Sequence, residues 1–430
     1  MAYGDRLTSS ALACEEVQRL GTAEDSYERA LRTFLGWVPE GSLTLADQCP
    51  VAHVGLPNVV LTQSLVPEVT QHLASEGYIH QHRFAVLPSR KRARWLLPPT
   101  YKGRPLDGFE LYRPFSIGAR ILKALVLLVR ATGWDAWVQD EVLMASRSIL
   151  PIERLANDIT GESRFIFSLS LGTPGAFQKL TVQVMRPDGK ILGYVKMPLT
   201  DAAGERLSNE AEFLQKLSEF PCMRSHVPRL LFAGPWNGTN ILFESPLDGA
   251  IGPVHFTNLH KSFLVSLHSC STAVSSGQAL VHRTAQTWEN VAPRMGAKWQ
   301  GLGREALRIA QQDLNGSLVP CGIQHGDFAP WNLRTHQGDL FAFDWESATW
   351  GAPNLWDQFH FLAQTECLLK VTHEDQEDGA VREQYRALYL LYLLNSTAHL
   401  KEEEAEQKSI DYREKQISRY ISGAAVVTGI

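Results

Sequence analysis

Cysteine is scarce in this chain and forms no pattern. The six thiols, at positions 14, 49, 222, 270, 321 and 367 of 430 residues, include no C-x-x-C. Their scatter points to reduced thiols in a cytoplasmic protein rather than a disulfide framework or a cysteine-based zinc site. Charge of one sign does not prevail either. With 41 Lys and Arg against 46 Asp and Glu the net charge is -5, which argues against a nucleic-acid-binding or anionic-membrane surface. Long hydrophobic runs are missing too. The most apolar one, Ile121-Leu-Lys-Ala-Leu-Val-Leu-Leu-Val129, is too short to span a bilayer. It reads as a buried helix with Ser116 ahead of it as a cap and Gly133 behind. Around Asp5, Arg6, Glu15 and Glu16 there is no apolar segment, so no signal peptide is expected. Repeats and long low-complexity stretches are also absent.

What is present is an ordinary globular composition, 44% apolar and 20% charged, with enough length for two or three domains. The most informative run is His325-Gly-Asp327-Phe-Ala-Pro-Trp-Asn332, followed by Asp344-Trp-Glu346 after the apolar stretch Leu340-Phe-Ala-Phe343. Residues 332–335 read as a strand, 336–339 as a tight turn around Gly338, and 340–343 as the returning strand. With Gln337 and Gly338 as the turn residues, 336 faces 339 and 332 faces 343. Asn332 and Asp344 then emerge side by side at the open end of the hairpin. A carboxamide oxygen beside a carboxylate suits magnesium, which takes one or two protein oxygens and completes its shell with phosphates and water. Asp327, in a loop broken by Gly326 and Pro330, can face the same opening and accept the proton of an attacking hydroxyl. Singly, each residue has a structural explanation in loop capping, turn chemistry or an N-cap. The joint spacing favours magnesium-dependent phosphoryl transfer.

These residues resemble the catalytic and metal motifs of the aminoglycoside phosphotransferase and choline kinase superfamily. The resemblance implies a two-lobed, protein-kinase-like α+β fold with a small β-rich N-lobe and a mostly helical C-lobe. It also implies ATP or another nucleoside triphosphate and Mg2+ as cofactors, Asp327 as catalytic base, and Asn332 and Asp344 as magnesium ligands. Gly351-Ala-Pro-Asn-Leu-Trp-Asp357 is similar to the segment that ends in a structural Asp, so Asp357 would brace the catalytic loop, with His325 as a further support.

Such a fold needs an upstream lysine on a strand and an acid to hold it. Residues 165–171, 179–185 and 191–197 read as three strands joined by turns, and Lys196 lies near the end of the third. Over 205–220 apolar residues at Leu207, Ala211, Leu214 and Leu217 mark a helix. Glu210 falls on that buried stripe and needs a partner there, whereas Glu212 points away. Glu210 is therefore expected to pair with Lys196. Leu171-Gly172-Thr-Pro-Gly175-Ala176 is either the nucleotide loop or an ordinary hairpin turn. The strand over 239–243 and the following Glu244-Ser-Pro246 resemble an interlobe hinge that would hold the adenine.

The acceptor is approached by exclusion. Position 329, where protein kinases carry a lysine, is Ala, and no Ala-Pro-Glu segment follows Asp344, so a small-molecule hydroxyl fits better than a protein. Trp345, Glu346 and Trp350 either line the acceptor pocket or pack in the core, and residues 270–318 and the helices from 381 onward would form the rest. The acidic run at 402–404 reads as a solvated helix face or an amine-binding patch, and residues 385–394 as a buried helix. Residues 1–150 are expected to form an additional N-terminal α/β domain, with a helix over 25–37, short strands at 59–62 and 84–87, and a helix over 67–76. The basic cluster at 90–94 is a solvated turn or an anion site. The expected boundaries are thus 1–150, 151–247 for the N-lobe and 248–430 for the C-lobe. Two other functions stay open: a catalytically idle kinase-like binding module, and nucleotidyl transfer on the same fold.

Overall fold

The computed structural model describes residues 23–36, 43–46, 58–61, 67–98, 107–115, 117–131, 140–373, 377–403 and 407–422. Its contacts divide into two units, Met1–Ser208 with Leu230–Pro246, and Asn209–Arg229 with Leu247–Ile430.

The first unit is built on one sheet of ten strands. In chain order they are β1 Leu43–Ala46, β2 Asn58–Leu61, β3 His80–Leu87, β4 Trp95–Leu97, β5 Glu141–Ser146, β6 Ile166–Ser170, β7 Lys179–Met185, β8 Ile191–Pro198, β9 Leu230–Trp236 and β10 Thr239–Glu244. Across the sheet the order is β1-β2-β5-β3-β4-β6-β7-β8-β10-β9, and β1 with β2 is its parallel pair. The three strands expected after residue 165 are β6, β7 and β8. Helix α1, Ala23–Phe34, lays Tyr27, Ala30, Leu31 and Phe34 into the core at helical spacing. Helices α2 (Pro67–Ser75), α3 (Ile117–Ala131) and α4 (Pro151–Thr160) complete this region.

The expected boundary near residue 150 falls inside this unit. Trp95 and Leu96 of β4 pair with Ser170 and Leu169 of β6, so the sheet runs on without a break. The same core joins Phe34, Phe84 and Val142 to Phe167, Val182 and Val195. Pairing β4 with β6 removes an open strand edge, which is a reason for the early strands to join the later ones.

One expectation is corrected outright. The apolar run in α3 is not buried: Ile121, Leu122, Leu125 and Leu128 are 52–61% exposed. The opposite side of the helix turns inward, where the Lys123 ammonium donates to the carbonyls of Phe109 (3.0 Å) and Tyr112 (2.6 Å). Its expected cap Ser116 and the following Gly133 lie outside the described residues, as do Trp37, Cys14, Cys49 and the tail from 423. Among the described residues no helix is long and apolar enough to cross a membrane.

Helix α5, Asp201–Glu219, starts in the first unit and continues in the second. The second unit is mostly helical, with α6 Asn258–Ser269, α7 Gly277–Val291, α8 Ala297–Asp313, α9 Trp356–Gln364, α10 Glu377–Gln384, α11 Arg386–Glu402 and α12 Gln407–Ser422. Its strands are β11 Ala250–Ile251, β12 Ala273–Ser276, β13 Leu318–Gln324, β14 Leu333–His336, β15 Asp339–Ala342 and β16 Thr349–Pro353. They form two three-stranded sheets, β11-β14-β15 and β12-β13-β16. Every residue of α11 from Ala387 to Leu394 is buried, as the all-round apolar pattern predicts. Packing these elements around α11 makes a core separate from that of the first unit.

Candidate active site

The β14–β15 hairpin has the predicted register, with Leu333 opposite Ala342 and His336 opposite Asp339. Gln337 and Gly338 both have positive φ, 51° and 89°, which is the two-residue turn that matches strand twist. The Phe343 N–H donates to the Asn332 carbonyl at 3.1 Å, so Asn332 and Asp344 do stand at the open end. Asp344 itself has φ 66°, a left-handed conformation that costs a non-glycine residue about 1 kcal/mol. Strain of this kind concentrates at functional sites.

Within the catalytic loop the Asn332 amide Nδ2 donates to the Asp327 carbonyl (3.0 Å) and to its carboxylate Oδ2 (2.8 Å). Both partners are acceptors, so the amide nitrogen must face them and the Asn332 carbonyl oxygen is left for another task. Burial pushes the Asp327 carboxyl up. A hydrogen bond from His360 and the electrostatic pull of the His360 and His325 rings outweigh it, holding the group below its usual range despite Asp344 nearby. Glu210, Asp344 and Glu346 each offer a carboxylate oxygen, all within 4.8 Å of one another. Those three carboxylates form an all-oxygen donor set, which fits a hard cation such as magnesium.

Asp357 braces the loop as expected. From the first turn of α9 its Oδ2 accepts from the His325 N–H (2.7 Å) and its Oδ1 from the Gly326 N–H (3.1 Å). His325 is fully buried. Its Nε2 lies 3.0 Å from the Phe343 carbonyl and its Nδ1 accepts from the Asp327 N–H (3.3 Å), tying loop to hairpin. Gly326 has φ 85°, and a Cβ there would sit 2.1 Å from the Ser347 carbonyl oxygen. No other residue type fits that crossing.

The structure corrects the role of Trp345. Rather than lining a pocket it is wholly buried, with its ring 4.5 Å from that of His325 and its Nε1–H donating to Ala342 O. Its backbone N–H donates to Glu210 Oε1 at 3.1 Å. Trp350, 44% exposed and stacked on Phe213 at 5.3 Å, keeps an accessible aromatic face. Glu210 is buried on the apolar stripe of α5 with Leu207, Phe213, Leu214 and Leu217, while Glu212 is exposed.

In the first unit Lys196, nearly buried, lies between Thr181 and Leu242 in the sheet register. Its Nζ is 3.2 Å from Glu244 Oε1, an ion pair within the sheet that the sequence reading did not foresee. The register explains it: Lys196 and Glu244 sit two positions apart on neighbouring strands, a diagonal pair on one face. Glu210 belongs to the other unit. Gly172 (φ 64°) and Gly175 (φ 155°) shape the β6–β7 loop. That loop is held by Arg94 donating to Gly172 O (2.6 Å) and by the Gln178 side chain donating to Leu171 O (2.9 Å). Part of the basic cluster thus serves the loop. Pro246 closes the first unit directly after β10.

Sequence reasoning missed His360, whose Nε2 lies 3.0 Å from Asp327 Oδ1. The available signal was its place three residues after Asp357, one helical turn on and on the same face. It also missed Asn209, whose amide donates to Glu346 O (3.1 Å) and Ala348 O (3.0 Å) and ties α5 to the segment after Asp344.

Residues 194–390 match the model of the phosphotransferase enzyme family, a stretch that contains Lys196, Asp327, Asn332, Asp344 and Asp357. The chain resembles the superfamily that its motifs implied, and its fold class is the expected α+β, with a β-rich unit and a mostly helical one. A comparison with curated proteins gives no match. Among solved structures the chain is similar to a thermostable mutant of an aminoglycoside phosphotransferase in its apo form, at 12% identity, over 64% of this chain and 100% of that one, with a TM-score of 0.46. An aminoglycoside 2'-phosphotransferase in complex with GDP follows at 12% identity, 63% and 96% coverage and TM-score 0.42. Choline kinase LicA from Streptococcus pneumoniae is similar at 12% identity, 64% and 98% coverage and TM-score 0.39.

Proposed function

We propose that the chain is a cytoplasmic, ATP- and magnesium-dependent phosphotransferase that moves the γ-phosphoryl group to a hydroxyl of a polar small molecule, such as a sugar, an aminoglycoside or an amino alcohol. The observation that carries this reading is the trio Asp327, Asn332 and Asp344. The amide nitrogen of Asn332 is committed to Asp327, so its oxygen remains for a cation beside Asp344, while Asp327 keeps carboxylate lone pairs for a hydroxyl.

In this reading Asn332 and Asp344 hold the metal, and bound magnesium supplies charge neutralisation at the β- and γ-phosphates. Lys196 grips the nucleotide phosphates, with Glu244 beside it and Glu210 as the second carboxylate proposed to fix it. Gly172 and Gly175 shape the loop over the phosphates, and the backbone around Glu244 and Pro246 receives the base. Asp327 orients the acceptor and takes its proton as the new O–P bond forms and the bond to the departing nucleoside diphosphate breaks. Catalysis then rests on positioning and charge, as is usual for this chemistry. Trp350 and Glu346 are proposed to meet the acceptor, an aromatic face for a ring and a carboxylate for amines or hydroxyls.

The test is ADP release from ATP and Mg2+ with a panel of sugars, aminoglycosides and amino alcohols, for the parent chain and for Asp327→Asn. The variant is expected to lose at least ~100-fold in turnover while still binding nucleotide. Near-parental turnover by a folded Asp327→Asn protein would refute the assignment of the base.

A further inference from the structure

Helix α9 presents two side chains to the catalytic loop from one face. Asp357 binds the backbone N–H groups of His325 and Gly326, and one turn later His360 reaches the side chain of Asp327. The imidazole is itself held: it is 8% exposed, and its Nδ1 lies 3.3 Å from the Tyr392 hydroxyl on α11. A carboxylate is acceptor-only, so the contact at Asp327 Oδ1 needs the proton on Nε2. With Nε2 turned to Asp327, the Tyr392 hydroxyl beside Nδ1 holds the ring in that orientation.

The two oxygens of Asp327 are therefore fixed from opposite sides, Oδ1 by His360 at 3.0 Å and Oδ2 by Asn332 at 2.8 Å. Asn332 also serves as proposed metal ligand, whereas His360 comes from a separate buried helix and, among the described residues, hydrogen-bonds to Asp327 alone in that loop and hairpin. A carboxylate on a loop that begins with a glycine of positive φ has rotational freedom that one amide does not remove.

We propose that His360 is a positioning residue for phosphoryl transfer, clamping Oδ1 of Asp327 so that the remaining lone pairs of the carboxylate stay aimed at the acceptor hydroxyl. This rests on Asp327 being the base of the reaction above. Catalytic geometry of this kind tolerates errors of less than about 1 Å, so the loss of one clamp acts on turnover and leaves nucleotide binding alone.

The experiment is a cycle of His360→Leu, His360→Gln, Asp327→Asn and the double variant Asp327→Asn/His360→Leu. Each is measured by ADP release with ATP, Mg2+ and the best acceptor of the panel, with thermal unfolding as a check on folding. His360→Leu is expected to lower kcat about tenfold or more with KM for ATP within about twofold, the scale of one hydrogen bond to a charged group. His360→Gln, whose amide nitrogen can take the place of Nε2, is expected to recover most of that loss. In the Asp327→Asn background, removing His360 is expected to change turnover little, because residues that act as a unit are not additive.

Should His360→Leu fail to fold, His360→Asn, polar but too short to reach Asp327, replaces it. Parental turnover in His360→Leu, no recovery in His360→Gln, or an additive loss in the double variant overturns the proposal alone. A parent chain that releases no ADP with any acceptor overturns the phosphotransferase reading, and this proposal falls with it.

Discussion

Replacing Asp357 with Ala tests how the catalytic loop is held. The carboxylate is 1% exposed and accepts two backbone N–H groups, from His325 at 2.7 Å and from Gly326 at 3.1 Å. A hydrogen bond to a charged group contributes about 1.5–3 kcal/mol, so the pair contributes about 3–6 kcal/mol. Ala offers no acceptor, and both N–H groups would be left buried and unmet. Domains are stable by about 5–15 kcal/mol, so the second unit would lose about a fifth or more of its margin. For a unit of this size, that corresponds to a fall in unfolding midpoint on the order of 10 °C. Asp357→Asn keeps one acceptor oxygen but turns an NH2 toward the other N–H, and about half the penalty is expected. The assay is thermal unfolding followed by near-UV circular dichroism, together with amide exchange by mass spectrometry on a peptide covering 320–335. A midpoint within about 1 °C of the parent, with unchanged exchange at the loop, would refute the bracing role.

Gly326→Ala is expected to disrupt the loop more severely, because φ is 85° and the added Cβ would lie 2.1 Å from Ser347 O. Soluble, fully active Gly326→Ala protein would contradict that crossing. His260 predicts an acid-labile fold. It is fully buried, its Nδ1 accepts from the Thr257 N–H at 3.0 Å, and burial lowers its pKa to about 4. Since the folded value lies below the unfolded one of about 6.5, the stabilisation is complete above that pH. It is lost as pH falls toward 4, by about 3 kcal/mol in all. His260→Phe is therefore expected to flatten the fall in stability between pH 7 and 4, and an unchanged slope in chemical denaturation would exclude His260 as its source. Turnover of Asp327→Asn and the His360 cycle complete the set.

Local pattern was enough for everything that depends on one stretch of chain. The hairpin register followed from Gln337-Gly338 as the turn, since a two-residue turn fixes which residues face each other. The buried face of α5, with Glu210 on it and Glu212 off it, followed from helical periodicity. The strands around Lys196 were legible from their apolar runs and the turns between them. Tertiary structure decided the rest. Glu244 meets Lys196 because β8 and β10, well separated in sequence, become neighbours in the sheet. Trp345 is enclosed rather than exposed because His325 and Glu210, distant in the chain, converge on it. The apolar run of α3 faces outward because Lys123 finds its carbonyl partners on the inner side, which composition cannot reveal. His360 reaches Asp327 only through the packing of α9 against the catalytic loop. The sequence by itself determined which residues are proposed to carry the chemistry, since their types and spacing are local. Which neighbours hold them in place was set by long-range pairing and packing, and no single segment encodes that.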